Sequence, residues 1–227
     1  MKAIIGGTGF TMLDGLDLVE RTIETPYGNV ILYVAEEQLV FLPRHGKGHA
    51  RPPHMINHRA NIDALSQLDV TEAVAIYAVG SITDRLKPGK VGIIGDFVDL
   101  SGQAHTFYDQ EVVHISVEEP FSIPLQKRAL TFEASLVEEL IYVSTVGPRL
   151  ETKAEIAFYG RQGFDVVGMT LAAEATLLAE RKIPTLALAY SINWAAGVKE
   201  AFAFISDEEI ASLKNAITQL CCSILSI

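Results

Sequence analysis

The feature that most constrains the fold is a set of short apolar runs, separated by helical patterns, over the last two-thirds of the chain. Residues 73–79, 91–98, 141–146 and 185–191 are strand-length and nearly free of charge. A half-buried strand alternates apolar and polar side chains, so runs like these fit strands covered on both faces. Helical patterns at 152–162 and 171–181 lie between them, and a last helix begins near Asp207. This alternation predicts an α/β fold with a mixed central sheet flanked by helices, in a single domain over residues 1–227. Several strands run into small or polar residues at their C-terminal ends, the edge where open α/β sheets place ligands.

The first third reads as shorter strands. Residues 4–6 form one. Residues 22–25 and 30–34 flank the turn Pro26-Tyr27-Gly28-Asn29, a hairpin signal. Residues 38–42 form another, ending at the basic segment Arg44-His45-Gly46-Lys47-Gly48-His49-Ala50-Arg51. Pro52 and Pro53 stop a helix there, and one is expected from about His54.

Composition removes some functions. The net charge is −10 and no basic stripe appears, which argues against a nucleic-acid partner. No apolar run approaches the ~20 residues of a membrane span. The N-terminus starts directly on a strand-like segment and lacks the parts of a signal peptide. The only cysteines, Cys221 and Cys222, are adjacent. A vicinal disulfide would be strained, so they read as reduced core thiols in a cytoplasmic protein.

Six segments carry chemistry. Gly6-Gly7-Thr8-Gly9 follows a strand, but a dinucleotide fingerprint would need glycine where Met12 stands. Two readings stay open: a plain tight turn, or a turn whose N–H groups and Thr8 hydroxyl face an anion. His45, His49, His54 and His58 place four of the six histidines within 14 residues. Gly46 and Gly48 disfavour a helix between the first two. No cysteine or nearby carboxylate completes a metal set, and Arg44, Lys47 and Arg51 would repel a cation, so no metal is expected. Phosphate fits better, with Arg44 offering a bidentate fork and His45 a second donor. His54 and His58 read as helix-surface residues or satisfied core histidines. Tyr77-Ala78-Val79-Gly80-Ser81 ends a strand in small residues that let a ligand approach the backbone.

In Gly147-Pro148-Arg149-Leu150-Glu151-Thr152, Thr152 and Glu155 have capping-box spacing, which puts Glu151 just before a helix. Alone, Glu151 reads as an acid favoured by the helix dipole. Gly168-Met169-Thr170 leads from a strand into a helix with Thr170 at the N-cap, a position suited to an anion. Glu174, one turn inside, reads as structural. Asn193 closes the strand at 186–190, and Trp194 reads as a core or interface residue.

In this order the segments resemble the trimeric nucleoside phosphorylases, the family of the 5′-methylthioadenosine phosphorylases and the small purine nucleoside phosphorylases. The likeness runs from Gly6 to the last helix. It implies a nucleoside phosphorylase-like fold, a pentosyltransferase reaction on a purine nucleoside, inorganic phosphate as co-substrate, no cofactor and a homotrimer. By the resemblance phosphate contacts Thr8, Arg44, His45, Ala78 and Thr170. Met169 lies against the ribose, and the base meets Leu150, Glu151 and Asn193. His114 reaches the 5′ end of a neighbouring subunit's substrate, and Asp207 falls near that end in its own chain. Catalysis is implied for Asn193, Glu151 and His45.

The stretch from His45 to Ile62, with His114-Ile115 and Glu119-Pro120-Phe121, resembles the methylthioadenosine branch most. Adenosine-type members resemble serine where Glu151 stands and Asp-x-Asp where Asn193-Trp194-Ala195 stands. Glu with Asn is the 6-oxopurine combination, and the chemistry agrees. An oxopurine offers an N1–H that a carboxylate accepts and an O6 to which a carboxamide donates. Adenine offers the reverse, and a buried mismatch costs on the order of 1–3 kcal/mol per unpaired group. A methylthioadenosine-like frame with an oxopurine base site resembles the 5′-methylthioinosine branch. That implies conversion of S-methyl-5′-thioinosine to hypoxanthine and 5-methylthioribose 1-phosphate, in purine and methylthio salvage. Inosine, guanosine and 5′-methylthioadenosine stay open as substrates. A metal-dependent hydrolase and a non-catalytic purine-binding protein are the rival classes.

Overall fold

The structure, a computed structural model, describes residues 1–36 and 38–227. The described residues form nine strands and five α-helices. The strands are β1 Lys2–Gly6, β2 Val19–Thr25, β3 Gly28–Ala35, β4 Leu39–Pro43, β5 Glu72–Ser81, β6 Val91–Asp99, β7 Val137–Ser144, β8 Val166–Gly168 and β9 Thr185–Trp194. The helices are α1 His58–Gln67, α2 Ile123–Phe132, α3 Lys153–Arg161, α4 Leu171–Glu180 and α5 Asp207–Leu225. The apolar runs are strands of one mixed sheet, as expected.

Two helices differ from the sequence reading. Asn57, whose side chain accepts from the Ala60 N–H at 3.1 Å, starts α1 at His58 and leaves His54 in a short 3₁₀ turn. Pro53 holds Pro52 extended and itself opens the short turn, and the first residue after it able to cap is Asn57. Helix α2 was not anticipated. Ser122 caps it and Pro124 sits in its first turn, but only Leu125 and Ala129 are buried, so its apolar signal is weak.

β5 is the axis of the sheet. Its side chains are buried on both faces and divide by parity. Ala73, Ala75, Tyr77 and Val79 join a core with α1 and α4 residues such as Ile62 and Leu177. Val74 and Ile76 join a second core with Leu125 of α2 and Ile217 of α5. Each large apolar side chain so buried contributes roughly 1.5–3 kcal/mol.

One edge of β5 carries β9. The other is shared: β1 pairs at residues 72–75 and β8 at Gly80 and Ser81. Between those pairings the edge from Ile76 to Val79 has no strand partner among the described residues. The order β5–β9–β6–β7–β8–β5 closes a five-stranded barrel, and β4, β3 and β2 extend the sheet from β1. The interrupted edge is where the loops after β1, β4 and β8 converge.

The register of β9 slips there. Val79 pairs with Ser191 but Gly80 with Asn193, so Ile192 is the extra residue of a bulge. The bulge shifts the alternation by one position and turns Asn193 onto the face that carries Gly80. A Cβ added to Gly80 would lie 3.5 Å from Asn193 Nδ2, which places both on that face.

Candidate active site

At the interrupted edge lies a cavity of about 270 Å³. Thr8, Arg44, His45, Ala78 and Thr170 line it. So do Leu150, Glu151, Met169 and Asn193. Nine positions spread over the chain are therefore brought to one space. His114 and Asp207 are not among its walls. His114 is exposed in the segment before α2. Asp207 is the exposed first residue of α5, and Ser206 and Glu209 form the capping box around it. Phe202 and Phe204 stand at the cavity instead, an edge-on pair with centroids 5.1 Å apart. The sequence reading missed them, although their alternation about Ala203 is a strand-edge pattern. Phe204 bridges to Asn193, and the Ile205 N–H donates to the Ile192 carbonyl at 2.8 Å.

Arg44 is 2% exposed and held on every side. Its Nε and Nη2 donate to Glu174 Oε1 and Oε2 at 2.7 and 2.9 Å, and Nη1 donates to the Ile76 carbonyl at 2.7 Å. That carbonyl belongs to the unpaired edge of β5, so the arginine satisfies a group the sheet leaves open. A Cβ at Gly7 would collide with Nη1, which explains the glycine. Tyr77 stacks under the guanidinium at 4.5 Å and donates its hydroxyl to Glu174 Oε2 at 3.0 Å. Burial opposes the charge on Glu174, but Arg44 outweighs it and holds the carboxyl below its usual range. The fork expected to grip an anion is therefore spent on Glu174. Two N–H bonds remain, one on each Nη, out of the five a guanidinium carries.

His45 also differs from expectation. Its Nδ1 lies 2.8 Å from the Arg51 carbonyl, which can only accept, so Nδ1 carries the hydrogen and Nε2 is an acceptor. Burial pushes its pKa down to about 4. At neutral pH His45 is thus suited to accept a P–O–H hydrogen rather than to donate. Thr170 starts α4 without a side-chain capping bond, so its hydroxyl is free for other use. The Tyr190 hydroxyl, held protonated by burial, donates to the Thr8 carbonyl and ties the first loop to β9.

Glu151 precedes Thr152, which forms the anticipated capping box with Glu155. The Thr145 hydroxyl donates to Glu151 Oε1 at 2.7 Å. Asn193 Nδ2 donates to the Trp194 carbonyl at 2.8 Å, which fixes the amide so that Nδ2 keeps one hydrogen and Oδ1 stays an acceptor. The cavity therefore offers a carboxylate acceptor, an amide that donates and accepts, two hydroxyls and an arginine edge.

His58 is neither on a helix surface nor satisfied. It is 7% exposed, and among the described residues its Nδ1 has no hydrogen-bond partner, lying 3.8 Å from Glu174 Oε1. Burial pushes its pKa down to about 4. A free imidazole titrates near 6.5, so between pH 6.5 and 4 the unfolded chain binds protons that His45 and His58 resist. Stability is full above that window and is lost as pH falls through it. Urea unfolding from pH 7 to 4.5 should show this decline, and His58→Phe should flatten it by up to about 3 kcal/mol. An unchanged slope in the variant would remove His58 from the account. Among the described residues no three His, Cys, Asp or Glu side chains converge as a metal-ligand set. No helix among them is long and apolar enough to cross a membrane.

Comparison with known proteins adds to this geometry. Residues 2–225 match the family model described as the Phosphorylase superfamily. The 6-oxopurine nucleoside phosphorylase of Pyrococcus furiosus is 40% identical over 212 residues, covering 86% of this chain and 80% of that one. A protein of Pseudomonas syringae pv. tomato, named a probable S-methyl-5′-thioinosine phosphorylase, is 40% identical over 223 residues, 92% of this chain and 91% of its own. The structure of methylthioadenosine phosphorylase from Schistosoma mansoni in complex with adenine superposes with a TM-score of 0.90 at 27% identity, over 99% of this chain and 90% of that one.

Proposed function

Because the chain belongs to the phosphorylase superfamily and is a nucleoside phosphorylase, a pentosyltransferase, we propose that it splits 6-oxopurine nucleosides with phosphate, S-methyl-5′-thioinosine first among them. The products are hypoxanthine and 5-methylthioribose 1-phosphate. The observation that carries this reading is the presence of Glu151 and Asn193 on one cavity with the phosphate-binding set. Relatives named for 6-oxopurine and methylthioinosine substrates support it. Phe202 and Phe204 support the 5′-methylthio group, since an aromatic pair favours a thioether over a hydroxyl.

In the proposed reaction the C1′–N9 bond breaks as a phosphate oxygen bonds to C1′ from the opposite face. Positive charge builds on the sugar and negative charge on the base. Thr8, Thr170, the Ala78 backbone and the free N–H groups of Arg44 hold the phosphate, and His45 Nε2 takes its P–O–H hydrogen. His45 releases that proton to solvent, and solvent protonates the departing base at N7; Asn193 Oδ1 accepts from the N7–H as it forms and Nδ2 donates to O6, while Glu151 accepts N1–H. The rate comes from positioning and from dipoles fixed before the charge develops. The reading includes a homotrimer in which His114 serves a neighbouring subunit's substrate. The exposed Val112, Val113 and Val117 around it suit an interface.

The test is phosphate-dependent base release from 5′-methylthioinosine, inosine, 5′-methylthioadenosine and adenosine. Release from the first two alone, faster from the first and only with phosphate, is expected. Preference for the adenosine pair would overturn the base assignment. Release without phosphate would overturn phosphorolysis.

A further inference from the structure

The carboxylate that meets the base is not free to turn. Thr145 is the residue after β7, 9% exposed, and its own N–H donates to the Gly168 carbonyl at 2.9 Å. Its hydroxyl lies 2.7 Å from Glu151 Oε1 and 3.4 Å from the Gly168 carbonyl, so the single hydrogen goes to the carboxylate. Arg149, one of the two basic residues nearest in sequence, does not compete. It donates to Glu155 Oε1 and Oε2 at 2.7 and 2.9 Å. Glu151 therefore presents one oxygen with a lone pair already taken by Thr145, a weaker acceptor for a second donor, and one with both lone pairs open.

Two oxopurines differ at the edge such a carboxylate meets. Hypoxanthine offers one donor there, N1–H, beside a C–H. Guanine offers two side by side, N1–H and an N2–H, a pair that a carboxylate takes best with both oxygens in parallel. From this we infer that Thr145 is a positioning residue that commits Glu151 to a single donor, and that the site selects hypoxanthine nucleosides over guanine nucleosides. The inference rests on Glu151 as the contact to N1–H. It adds a residue outside the walls of the cavity and a substrate preference within the oxopurines.

Thr145→Val keeps the branched shape and removes the hydroxyl, and Thr145→Ser keeps the hydroxyl. Each is compared with the unaltered enzyme for kcat and KM on inosine and guanosine, and on their 5′-methylthio forms. The unaltered enzyme is expected to favour the hypoxanthine member of each pair. Thr145→Val should lower kcat/KM for that member by roughly 10-fold, mostly through KM, and shrink the preference over guanine by a similar factor. Thr145→Ser should restore both. A purely structural role would depress both bases equally and leave their ratio unchanged, which would overturn the inference. Equal use of hypoxanthine and guanine by the unaltered enzyme would overturn it too. If no 6-oxopurine nucleoside is cleaved by any form, the proposed function itself falls. Thermal unfolding of each variant separates a misfolded protein from an altered site.

Discussion

Replacing Asn193 with alanine is expected to lower kcat on a hypoxanthine nucleoside by roughly 10²- to 10³-fold, with a smaller change in KM. In the proposed reaction the amide meets the base at N7 and O6, where negative charge grows as the C1′–N9 bond breaks, so its value would be greatest in the transition state. Its carbonyl and amino ends are fixed by the Trp194 carbonyl, and the bulge at Ile192 turns it toward the cavity. No reorganisation is needed as the charge develops. Single-turnover rates at saturating phosphate check this, and a variant with full kcat would remove Asn193 from the chemistry. Asn193→Asp supplies a partner for an exocyclic amine and should move the kcat/KM ratio toward adenosine-type substrates. An unmoved ratio would show that the base is read elsewhere.

Glu174→Gln should be among the most destabilising changes of similar volume. Arg44 and Glu174 are both buried and joined by two hydrogen bonds, so removing one charge strands the other. Breaking such a pair costs about 3–5 kcal/mol, equivalent to a fall in Tm of about 10 °C for a chain of this size. KM for phosphate should rise, because the two free N–H groups of Arg44 are aimed by that contact. The double variant Arg44→Met, Glu174→Gln removes the stranded cation and should recover part of the stability without recovering phosphate use. If it is no more stable than Glu174→Gln alone, the loss comes from packing and not from an unpaired charge.

The pair also shows what sequence could not disclose. Arg44 and Glu174 stand 130 positions apart. Glu174 sits at a place where an acid near a helix start needs no partner to explain it. The basic segment looked like a reservoir of positive charge, yet its one deeply buried cation is neutralised from within. His58 shows the same gap: its neighbours in sequence suit a solvated helix, and only the packing of α1 against α4 buries it. Local patterns were more informative where they act locally. The apolar runs matched strands of the sheet, and the Thr152–Glu155 capping box gave the start of α3; nine of the residues that the family resemblance implied line one cavity. The closure of the barrel, the interruption along β5 and the bulge in β9 depend on pairings between distant segments, which no single stretch encodes. Phe202 and Phe204 were missed because their role depends on the pairing of Phe204 with Asn193.

The interrupted edge of β5 divides the labour of the site. The loops after β1, β4 and β8 and the unpaired run of β5 gather the groups assigned to phosphate, whereas the base is assigned to the loop after β7 and the end of β9. The two sets hang largely from different strands of the sheet, and the buried Arg44–Glu174 contact belongs wholly to the first. Changes to the purine-facing loops can therefore accumulate without loosening the anion-binding frame. Such a scaffold can diversify its choice of base by drift at a few positions while it keeps one chemistry.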